Sequence, residues 1–505
     1  MITTILFDIG DTLVRAAPPA TAVEGLVAEP LDGVLRTLQA LSRTFRLGAV
    51  TDTAVMSEAD IRRALTGTGI GELLPVIVTS ADIGAAKPDP RGIVAALAAL
   101  AVSADEALFV GDADVDAESA AASGVAFARV DPTTTLRDAV RAGIRAVAGP
   151  FVAAQALVGP VDVTAAAEAS DHQDRLTKPS GALGQLEALG VQLAAIAGSD
   201  PPPRPRPGAV AVFAADHGVV ADGVTPWPQE VTGQMVANFV AGGAAINVLA
   251  RQAGATVTVV DVGVASDLDQ LGLQGAANLL RRRVRPGTAS LAHGPAMTTD
   301  DVHAALAIGA DVAADLVAAG AAVLVTGEMG IGSTTASAAV IAALTGRPAA
   351  DVTGRGTGID DAMLEHKIAI IEGALARFPV GAADPITVLA EVGGLELAAL
   401  AGFIVGGASA CVPVVVDGVI AGAALLAAVA LEPAVLPYVI AGHRSTEPGA
   451  TAVLEHLRLQ PVLDLGLRLG EGSGACLALG VLDAAALVLA EMATFDSAGV
   501  KGAQD

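Results

Sequence analysis

The stretch Ala322-Val323-Leu324-Val325-Thr326-Gly327-Glu328-Met329-Gly330-Ile331-Gly332-Ser333-Thr334-Thr335 joins a short apolar run to a glycine-rich turn. The run Ala322–Thr326 predicts a buried strand, and the turn after it predicts the start of a helix. A strand that leads at once into a helix is the repeating unit of a parallel sheet covered by helices. The sequence around this stretch therefore predicts an α/β fold.

The same alternation continues on both sides of this stretch. Helices are predicted at Leu183–Ala197 and Thr232–Arg251, and strands at Ala209–Ala214, Thr256–Val262, Val412–Val416 and Val435–Ala441. The proline-rich run Asp200–Gly208 predicts an exposed loop, because neither a helix nor an inner strand tolerates so many prolines. We place this loop inside a domain, since motifs before and after it belong together.

The first part of the chain predicts a separate doubly wound parallel sheet. Helices are predicted at Leu31–Arg43 and Asp89–Leu100, and strands at Thr3–Phe7, Leu47–Val50, Val76–Thr79, Ala107–Val110 and Ala126–Val130. The pattern changes after Ala148-Gly149-Pro150. We therefore predict two domains, at residues 1–148 and 149–505.

Composition excludes several classes of function. The 505 residues carry a net charge of −25, which argues against binding nucleic acid. The mean hydropathy is +0.60, yet charged residues or prolines interrupt the runs Ala398–Gly407 and Ala421–Ala430 within a few residues. A span needs about 20 apolar residues, so we expect no membrane segment. The N-terminus has no basic region, and we expect a cytoplasmic protein without a signal peptide.

Five polar residues in the first domain follow predicted strands or lie in flanking loops: Asp8, Thr51, Lys87, Asp112 and Asp116. This order suits phosphoryl transfer through an aspartyl-phosphate. The carboxylates would hold Mg²⁺, and the lysine and threonine would neutralise the phosphoryl oxygens.

This order resembles the haloacid dehalogenase superfamily across residues 1–130. The resemblance implies that Asp8 is the nucleophile and a metal ligand, that Thr51 and Lys87 bind phosphate, and that Asp112 and Asp116 complete the Mg²⁺ site. Phosphatases of the family carry a second aspartate two positions after the nucleophile, where this chain has Gly10. Glycine cannot transfer a proton, so turnover should fall by ~10²–10⁴ unless another group substitutes.

The intervals between these motifs also predict an open site in the first domain. Only 38 residues separate Thr12 from Thr51, and 33 separate Thr53 from Lys87. Neither interval can hold both its own strands and helices and a full cap domain.

Glycine-rich turns recur in the second domain. They are Gly327–Thr335, Gly354–Gly358 and Arg468–Ala475, and each comes before a predicted helix. Such turns offer backbone N–H groups and a favourable helix dipole to a phosphate. Since no Gly-Lys-Ser/Thr follows, they are not P-loops. The clustering predicts a site for a phosphorylated ligand.

Longer motifs in the second domain resemble the nicotinate-nucleotide–dimethylbenzimidazole phosphoribosyltransferase family over roughly residues 155–500. They are Leu176–Gly184, Gln234–Asn238, Gly242–Asn247, Gly393–Glu396, His443–Gly449 and Met492–Phe495, together with the glycine turns. The chain departs from the usual pattern at Ser473, where the family has threonine, and at Ala450, where it often has histidine. The resemblance implies a parallel α/β sheet with a smaller helical subdomain, and a homodimer.

The resemblance also implies a reaction. The ribose phosphate of nicotinate mononucleotide moves to 5,6-dimethylbenzimidazole, giving α-ribazole 5′-phosphate and nicotinate without a metal cofactor. The family's base corresponds to Glu471. Glu328 is expected to assist it or to steady the ribose, and Lys367 is expected to offset the charge of the phosphate. The residues expected at the phosphate and ribose are Gly330, Gly332, Ser333, Thr334, Gly356 and Thr357. Thr225, Gln234 and Leu469 are expected to line the benzimidazole pocket.

His217 and His443 lack the spacing of metal ligands and are predicted to be polar turn residues. Cys411 and Cys476 are predicted to be buried free thiols, since they lie in apolar or glycine-rich surroundings.

Three hypotheses for the first domain and two for the second remain open at this point. The first domain hydrolyses the phosphate of the transferase product, it hydrolyses another phosphate such as nicotinate mononucleotide, or it is a catalytically silent binding or dimerisation module. The second domain is an enzyme, or it is a nucleotide sensor without catalysis. Tethering favours the first hypothesis, because a short linker raises the local concentration of product to about mM.

Overall fold

Two separate parallel sheets organise the chain in a computed structural model that describes residues 2–15, 26–356, 358–378 and 384–501. The chain divides into two compact units, Met1–Pro160 and Val161–Asp505. The division falls after the predicted boundary at 148, because the short helix Pro150–Ala156 places Ala153 and Ala156 in the apolar core of the first unit.

The first unit contains five strands and seven helices among its described residues. The strands are β1 (Thr4–Phe7), β2 (Arg46–Thr51), β3 (Val76–Thr79), β4 (Ala107–Gly111) and β5 (Ala126–Arg129). The helices are α1 (Val34–Leu41), α2 (Glu58–Ala64), α3 (Ser80–Ile83), α4 (Arg91–Leu100), α5 (Asp114–Ser123), α6 (Leu136–Ala148) and α7 (Pro150–Ala156).

The strands of the first unit are all parallel and lie in the order β3-β2-β1-β4-β5. The chain moves outward from β1 in one direction and then returns to start again at β4. At such a reversal the loops after the two central strands separate and leave a crevice. Asp8 and Asp112, which directly follow β1 and β4, are therefore placed at this crevice.

The second unit contains six strands and fourteen helices among its described residues. The strands are β6 (Gly208–Ala215), β7 (Ala255–Gly263), β8 (Leu279–Arg281), β9 (Val323–Met329), β10 (Val414–Val416) and β11 (Val439–Ala441). The helices are α8 (Val163–Arg175), α9 (Gln185–Ala197), α10 (Glu230–Ala241), α11 (Ala245–Ala253), α12 (Thr299–Ala318), α13 (Ser333–Thr345), α14 (Ala349–Val352), α15 (Asp361–Leu375), α16 (Pro385–Val392), α17 (Leu395–Ser409), α18 (Val419–Leu431), α19 (Pro448–Leu457), α20 (Ser473–Glu491) and α21 (Phe495–Ala498).

This second sheet is also parallel, in the order β11-β10-β9-β6-β7-β8. Its reversal lies between β6 and β9, and the crevice there is flanked by the loop after β6 and the turn between β9 and α13. Two parallel sheets with connecting helices confirm the predicted α/β class.

Three predicted elements differ in the structure. The helix predicted over Thr232–Arg251 is two helices, α10 and α11, because Gly242 adopts a left-handed φ of 79° and ends α10. The strand predicted over Val435–Ala441 begins with a 3₁₀ helix, Pro433–Tyr438, since Pro437 cannot donate to a ladder. Strand β9 extends beyond Thr326, so Glu328 lies on the strand rather than in the turn after it.

Two helical segments are long and apolar enough to span a membrane by length and composition alone, Glu230–Ala253 and Ser473–Glu491. Both differ from the runs Ala398–Gly407 and Ala421–Ala430 that the sequence singled out. The first is divided at Gly242, and in the second Asp483 binds the guanidinium of Arg204 at 2.7 and 2.8 Å. Core helices pass the same test, so these segments are weak evidence for a membrane.

Helices α12 and α17 cross at two glycines in the core of the second unit. A Cβ atom on Gly309 would overlap the carbonyl oxygen of Ala399, and one on Gly402 would overlap that of Leu306. The two backbones therefore pack without side chains between them at this crossing.

Substituting Gly402 by alanine should destabilise the protein by about 1–3 kcal/mol, because the added methyl group must push α17 away from α12. Gly373→Ala is the matched control: Gly373 lies in α15, where an added Cβ would meet no atom outside its own helix within 4 Å. Alanine there should stabilise the helix by about 0.5–1 kcal/mol. Thermal unfolding followed by circular dichroism measures both changes. Equal effects would contradict the close crossing.

Candidate active sites

A cavity of about 330 Å³ lies at the carboxyl edge of the second sheet. Its walls come from the loops after β6, β9, β10 and β11 and from the turn before α20. The wall residues include Thr225, Trp227, Met235, Asp417, His443, Ser445, Glu447 and Arg468. Open parallel sheets bind ligands at this position, next to the reversal of strand order.

Most residues predicted for the second domain's site line this one cavity: Thr225, Glu328, Gly330, Gly332, Ser333, Thr334, Gly356, Leu469 and Glu471. Lys367 lies behind the wall, where its Nζ donates to Thr334 Oγ1 at 2.9 Å. Gln234 is exposed and is not part of the lining, whereas the adjacent Met235 is. Neighbouring helix positions face different directions, so Gln234 lies outside this lining and its role at the pocket stays a prediction. Thr357 lies outside the described residues.

Glu471 is held in an unusual backbone conformation at the cavity wall. Its φ is 63°, between Gly470 at 83° and Gly472 at 89°. A non-glycine residue in this region costs about 1–2 kcal/mol, which the fold must offset elsewhere. The Glu471 side chain is 6% exposed, and its Oε2 accepts the Ile246 backbone N–H at 3.3 Å. The carboxylate is therefore fixed in position and still borders the cavity.

The Asp417 side chain caps the N-terminus of α20. Its Oδ1 accepts the Ala475 N–H at 2.9 Å and its Oδ2 accepts the Gly472 N–H at 3.3 Å. A carboxylate at this position is stabilised by the helix dipole. The glycine turn before α20 therefore positions Glu471, and the first amides of α20 are already paired within the protein.

Glu328, Asp417 and Glu471 bring three carboxyl groups to one cavity, with Glu396 buried nearby. Burial raises the pKa of Glu328 well above its ordinary value, and the charges of Glu396 and Asp417 raise it further. Burial also raises the pKa of Glu471; the Ile246 N–H opposes this and Asp417 adds to it. Like charges close together favour holding a proton. The cluster is thus suited to accept a proton.

Both histidines lie in loops as predicted, and both are buried beside carboxylates. His217 Nε2 lies 2.8 Å from Glu396 Oε1, and His443 Nε2 lies 3.3 Å from Asp417 Oδ1. Burial disfavours the charged ring and lowers the pKa of each histidine. The neighbouring carboxylate has the larger overall effect, so the pKa of each histidine is raised. In the described part of the chain neither belongs to a group of three metal-binding side chains.

A second polar site lies at the carboxyl edge of the first sheet. Lys87 Nζ contacts Asp8 Oδ1 and Asp116 Oδ1, each at 2.5 Å. One ligand oxygen each from Asp8, Asp112 and Asp116 lies within 4.8 Å of the other two. The pKa of Asp8 is raised to about 7. Burial is the largest cause, Lys87 opposes the rise, and the charges of Asp116 and Asp112 add to it. Clustered hard oxygen donors fit a Mg²⁺ ion.

Around this second site, Thr51 is 7% exposed at the end of β2. Asp52 accepts the Lys87 backbone N–H at 3.1 Å, which fixes the loop that carries the lysine. No full cap is present in the described residues between Thr12 and Lys87, which form β2 and β3 with short helices. Gly10 lies in the loop after β1, and having no side chain it supplies no acid group at the position two residues after Asp8.

Comparison with known proteins agrees with the families predicted for both domains. Residues 158–500 match the family model described as "Phosphoribosyltransferase". The nicotinate-nucleotide–dimethylbenzimidazole phosphoribosyltransferase of Salinispora tropica is 56% identical over 354 residues, covering 68% of this chain and 97% of that protein. The enzyme of that name from Chloroflexus aurantiacus is 54% identical over 343 residues, covering 68% and 96%. This chain belongs to that phosphoribosyltransferase family.

A solved structure supports the same assignment for the second unit. The crystal structure of the phosphoribosyltransferase of that name from Thermus thermophilus has a TM-score of 0.64 and 48% identity, covering 68% of this chain and all of that one. Residues 21–130 match the model described as "Haloacid dehalogenase-like hydrolase". The chain is thus a phosphoribosyltransferase with an N-terminal haloacid-dehalogenase-like domain, and both predicted resemblances are confirmed.

Several wall residues of the phosphoribosyltransferase cavity were missed in the sequence. Glu447 Oε1 accepts the Gly356 N–H at 3.0 Å, and Arg468 donates to the Gly356 carbonyl at 2.9 Å, so the two side chains hold that turn from both sides. Trp227 is 47% exposed at the cavity. It is the only tryptophan of a chain poor in aromatics, which is a signal that could have found it.

Lys367 is a buried cation of the phosphoribosyltransferase unit. It is 2% exposed, and its Nζ donates to Thr334 Oγ1 and, at 3.3 Å, to the Gly354 carbonyl. Burial lowers the pKa of Lys367 to about 8, only partly opposed by Glu447. An anion at the adjacent turn would favour its charged form.

Lys367→Met should therefore stabilise the ligand-free protein near pH 7. The pKa of the lysine rises from about 8 in the folded chain to its ordinary 10.5 on unfolding, so folding releases a proton from it between these values. The penalty is complete below pH 8 and disappears as the pH rises towards 10.5. We expect a gain on the order of 2 kcal/mol at pH 7 that shrinks with increasing pH, measured by urea unfolding. The control is Lys501→Met at an exposed position, and a gain independent of pH would contradict the assignment.

Proposed function

We propose that the chain transfers the ribose phosphate of nicotinate mononucleotide to 5,6-dimethylbenzimidazole, giving α-ribazole 5′-phosphate and nicotinate. The observation that carries this proposal is that Glu471 and the glycine turn before α13 face one cavity. A base and a phosphate-binding turn are what this reaction needs. The names of the relatives supply the substrates.

In the proposed reaction, one ring nitrogen of the benzimidazole forms a bond to C1′ of the ribose. The bond between C1′ and the pyridinium nitrogen breaks, and its electron pair leaves with nicotinate. Glu471 takes the proton from the other benzimidazole nitrogen. The pyridinium is already a good leaving group, so the transferase requires no metal to activate it.

The neighbouring groups make Glu471 a better base. A carboxylate next to Asp417 and Glu328 gains by accepting a proton, because this removes one negative charge from a crowded, buried cluster. A base is most effective when its pKa lies near the working pH. Glu328 would then share the proton or hold a ribose hydroxyl.

Different residues of the cavity wall would bind the phosphate and the benzimidazole. Gly330, Gly332 and Ser333 offer the N-terminus of α13 to the phosphate, and Thr334 links it to Lys367. Gly356 lies on the same side of α13, and Thr357 is expected with it. Thr225, Trp227, Met235 and Leu469 provide the apolar wall for the flat benzimidazole.

Glu471→Gln should lower the rate of nicotinate release by about 10²–10⁴-fold, since the amide keeps the shape but cannot accept the proton. The affinity for nicotinate mononucleotide should change little. Release is followed by mass spectrometry with both substrates present. Glu372→Gln, on the exposed side of α15, is the control and should retain activity.

Two results would contradict this proposal in different ways. Undiminished release by Glu471→Gln would show that another group is the base. If the unaltered protein binds nicotinate mononucleotide without releasing nicotinate, the second domain is a nucleotide sensor.

We propose further that the N-terminal domain hydrolyses the 5′-phosphate of α-ribazole 5′-phosphate. The supporting observation is the intact set of Asp8, Lys87, Asp112 and Asp116. Asp8 would attack the phosphorus atom as the P–O bond to the ribose 5′ oxygen breaks and α-ribazole leaves, while Lys87 and Thr51 hold the phosphoryl oxygens. Water would then hydrolyse the aspartyl-phosphate, releasing phosphate and restoring Asp8. A Mg²⁺ ion held by the three carboxylates would neutralise charge on those oxygens.

Gly10, which stands where phosphatases of the family carry an acid, favours a second candidate function for the N-terminal domain. Without an acid two positions after Asp8, protonation of the leaving alcohol has no assigned donor, and a silent binding or dimerisation module is the alternative. The alternative predicts that variants of Asp8 change no reaction of the chain.

Asp8→Asn separates these candidates. If the domain is a phosphatase, the full chain with Mg²⁺ releases phosphate from α-ribazole 5′-phosphate, and Asp8→Asn abolishes this release because its amide is not a nucleophile. Nicotinate release by the transferase unit should be unchanged, which controls for folding. Phosphate release that is the same in both proteins excludes the proposed nucleophile.

The remaining expectations concern partners and location. We expect small-molecule substrates without nucleic acid or membrane partners, a homodimer and a cytoplasmic enzyme. These follow from the family and from the composition.

A further inference from the structure

We propose that the N-terminal domain selects nucleoside 5′-phosphates with an uncharged, apolar base and rejects nicotinate mononucleotide. The selection is made by an apolar cavity of about 380 Å³ next to the Asp8 site. This inference rests on the proposed phosphatase function and identifies its class of substrate.

The apolar cavity adjoins the site predicted to hold the phosphate. Gly10, two residues after Asp8, and Thr51, at the end of β2, both form part of its wall. Asp8, Lys87 and Asp116 do not line it. Thr51 therefore borders both regions, and a phosphate held at Asp8 would direct its ester group towards the cavity.

The walls away from Thr51 are apolar. Val14, Ile61 and Leu65 are each at most 7% exposed, and Leu26 and Met56 complete this side. Protein interiors contain few voids much larger than a water molecule. A void of this size lined by apolar side chains and bordered by a polar site has the character of a ligand pocket.

Charge in the lining is confined to groups that already have partners. Arg15, the only cation among the described residues of the lining, lies 3.2 Å from Glu29, and both are more than half exposed. Asp52 accepts the Lys87 backbone N–H. Thr53 accepts the Met56 N–H at 3.0 Å and keeps a hydroxyl proton for a ribose oxygen.

This lining distinguishes the two nucleotides of the transferase reaction. The ring of nicotinate mononucleotide carries a pyridinium charge and a carboxylate, and burying these charges without partners is costly. Dimethylbenzimidazole is neutral and apolar, so burying it is favourable. Ribose 5-phosphate has no base to bury. A domain that rejects the donor and accepts the product would not consume the substrate of its neighbouring transferase.

The inference is tested by measuring phosphate release by the full chain with Mg²⁺ from three substrates: α-ribazole 5′-phosphate, ribose 5-phosphate and nicotinate mononucleotide. We expect kcat/KM to be higher for α-ribazole 5′-phosphate than for either of the others by about tenfold or more, the discrimination that an apolar pocket supplies. Asp8→Asn should release phosphate from none of them. This comparison requires no variant of the cavity.

Met56→Glu places a carboxylate in the cavity and should remove the preference, lowering kcat/KM for α-ribazole 5′-phosphate while leaving that for ribose 5-phosphate nearly unchanged. Val55→Glu is the matched control: Val55 is the preceding residue, 71% exposed, and does not line the cavity. It should keep the preference.

The outcomes separate the two proposals. Hydrolysis of all three esters at similar rates, or faster hydrolysis of nicotinate mononucleotide, overturns the selection by the cavity and leaves the phosphatase function standing. No hydrolysis of any ester by the unaltered chain overturns the phosphatase function and with it the selection. Loss of the preference in both Met56→Glu and Val55→Glu would also count against the cavity.

Discussion

The reversal of strand order between β6 and β9 is the constraint on which the transferase site depends. Because the chain leaves β6 in one direction and restarts at β9 in the other, no helix connection crosses the carboxyl end of this strand pair. The crevice that remains receives the loops after four strands. Glu328 from β9, Asp417 from the end of β10 and Glu471 from the turn before α20 are far apart in sequence and meet there.

Electrostatics then determine what this crevice can do. Buried carboxylates are tolerated here because backbone amides and histidines partner them: Asp417 with the first turn of α20 and His443, and Glu396 with His217. Glu328 and Glu471 receive less of this compensation, and their pKa values are raised. The same fold thus uses some acids as structural partners and leaves others ready to exchange a proton.

Prediction from the sequence succeeded where a motif is local. Glu471 and Gly332 lie in glycine turns that are readable as helix starts, and the strand that precedes Asp8 is a short apolar run. It failed where position depends on tertiary packing. Asp417 follows an ordinary strand and carries no motif, and the pairing of His217 with Glu396 joins residues far apart in sequence. Gln234 and Met235 differ by one helix position, and only the packed helix shows which of them faces the cavity.

The carboxylate of Asp417 has a consequence for the kind of donor this fold can accept. A helix end that already holds an anion offers no attraction to another, so α20 offers less to a ligand's charge than α13 and α18, which also begin at the cavity. Donors bearing a diphosphate would bring additional negative charge to a chamber already crowded with acids. The arrangement suits a sugar with a single phosphoryl group.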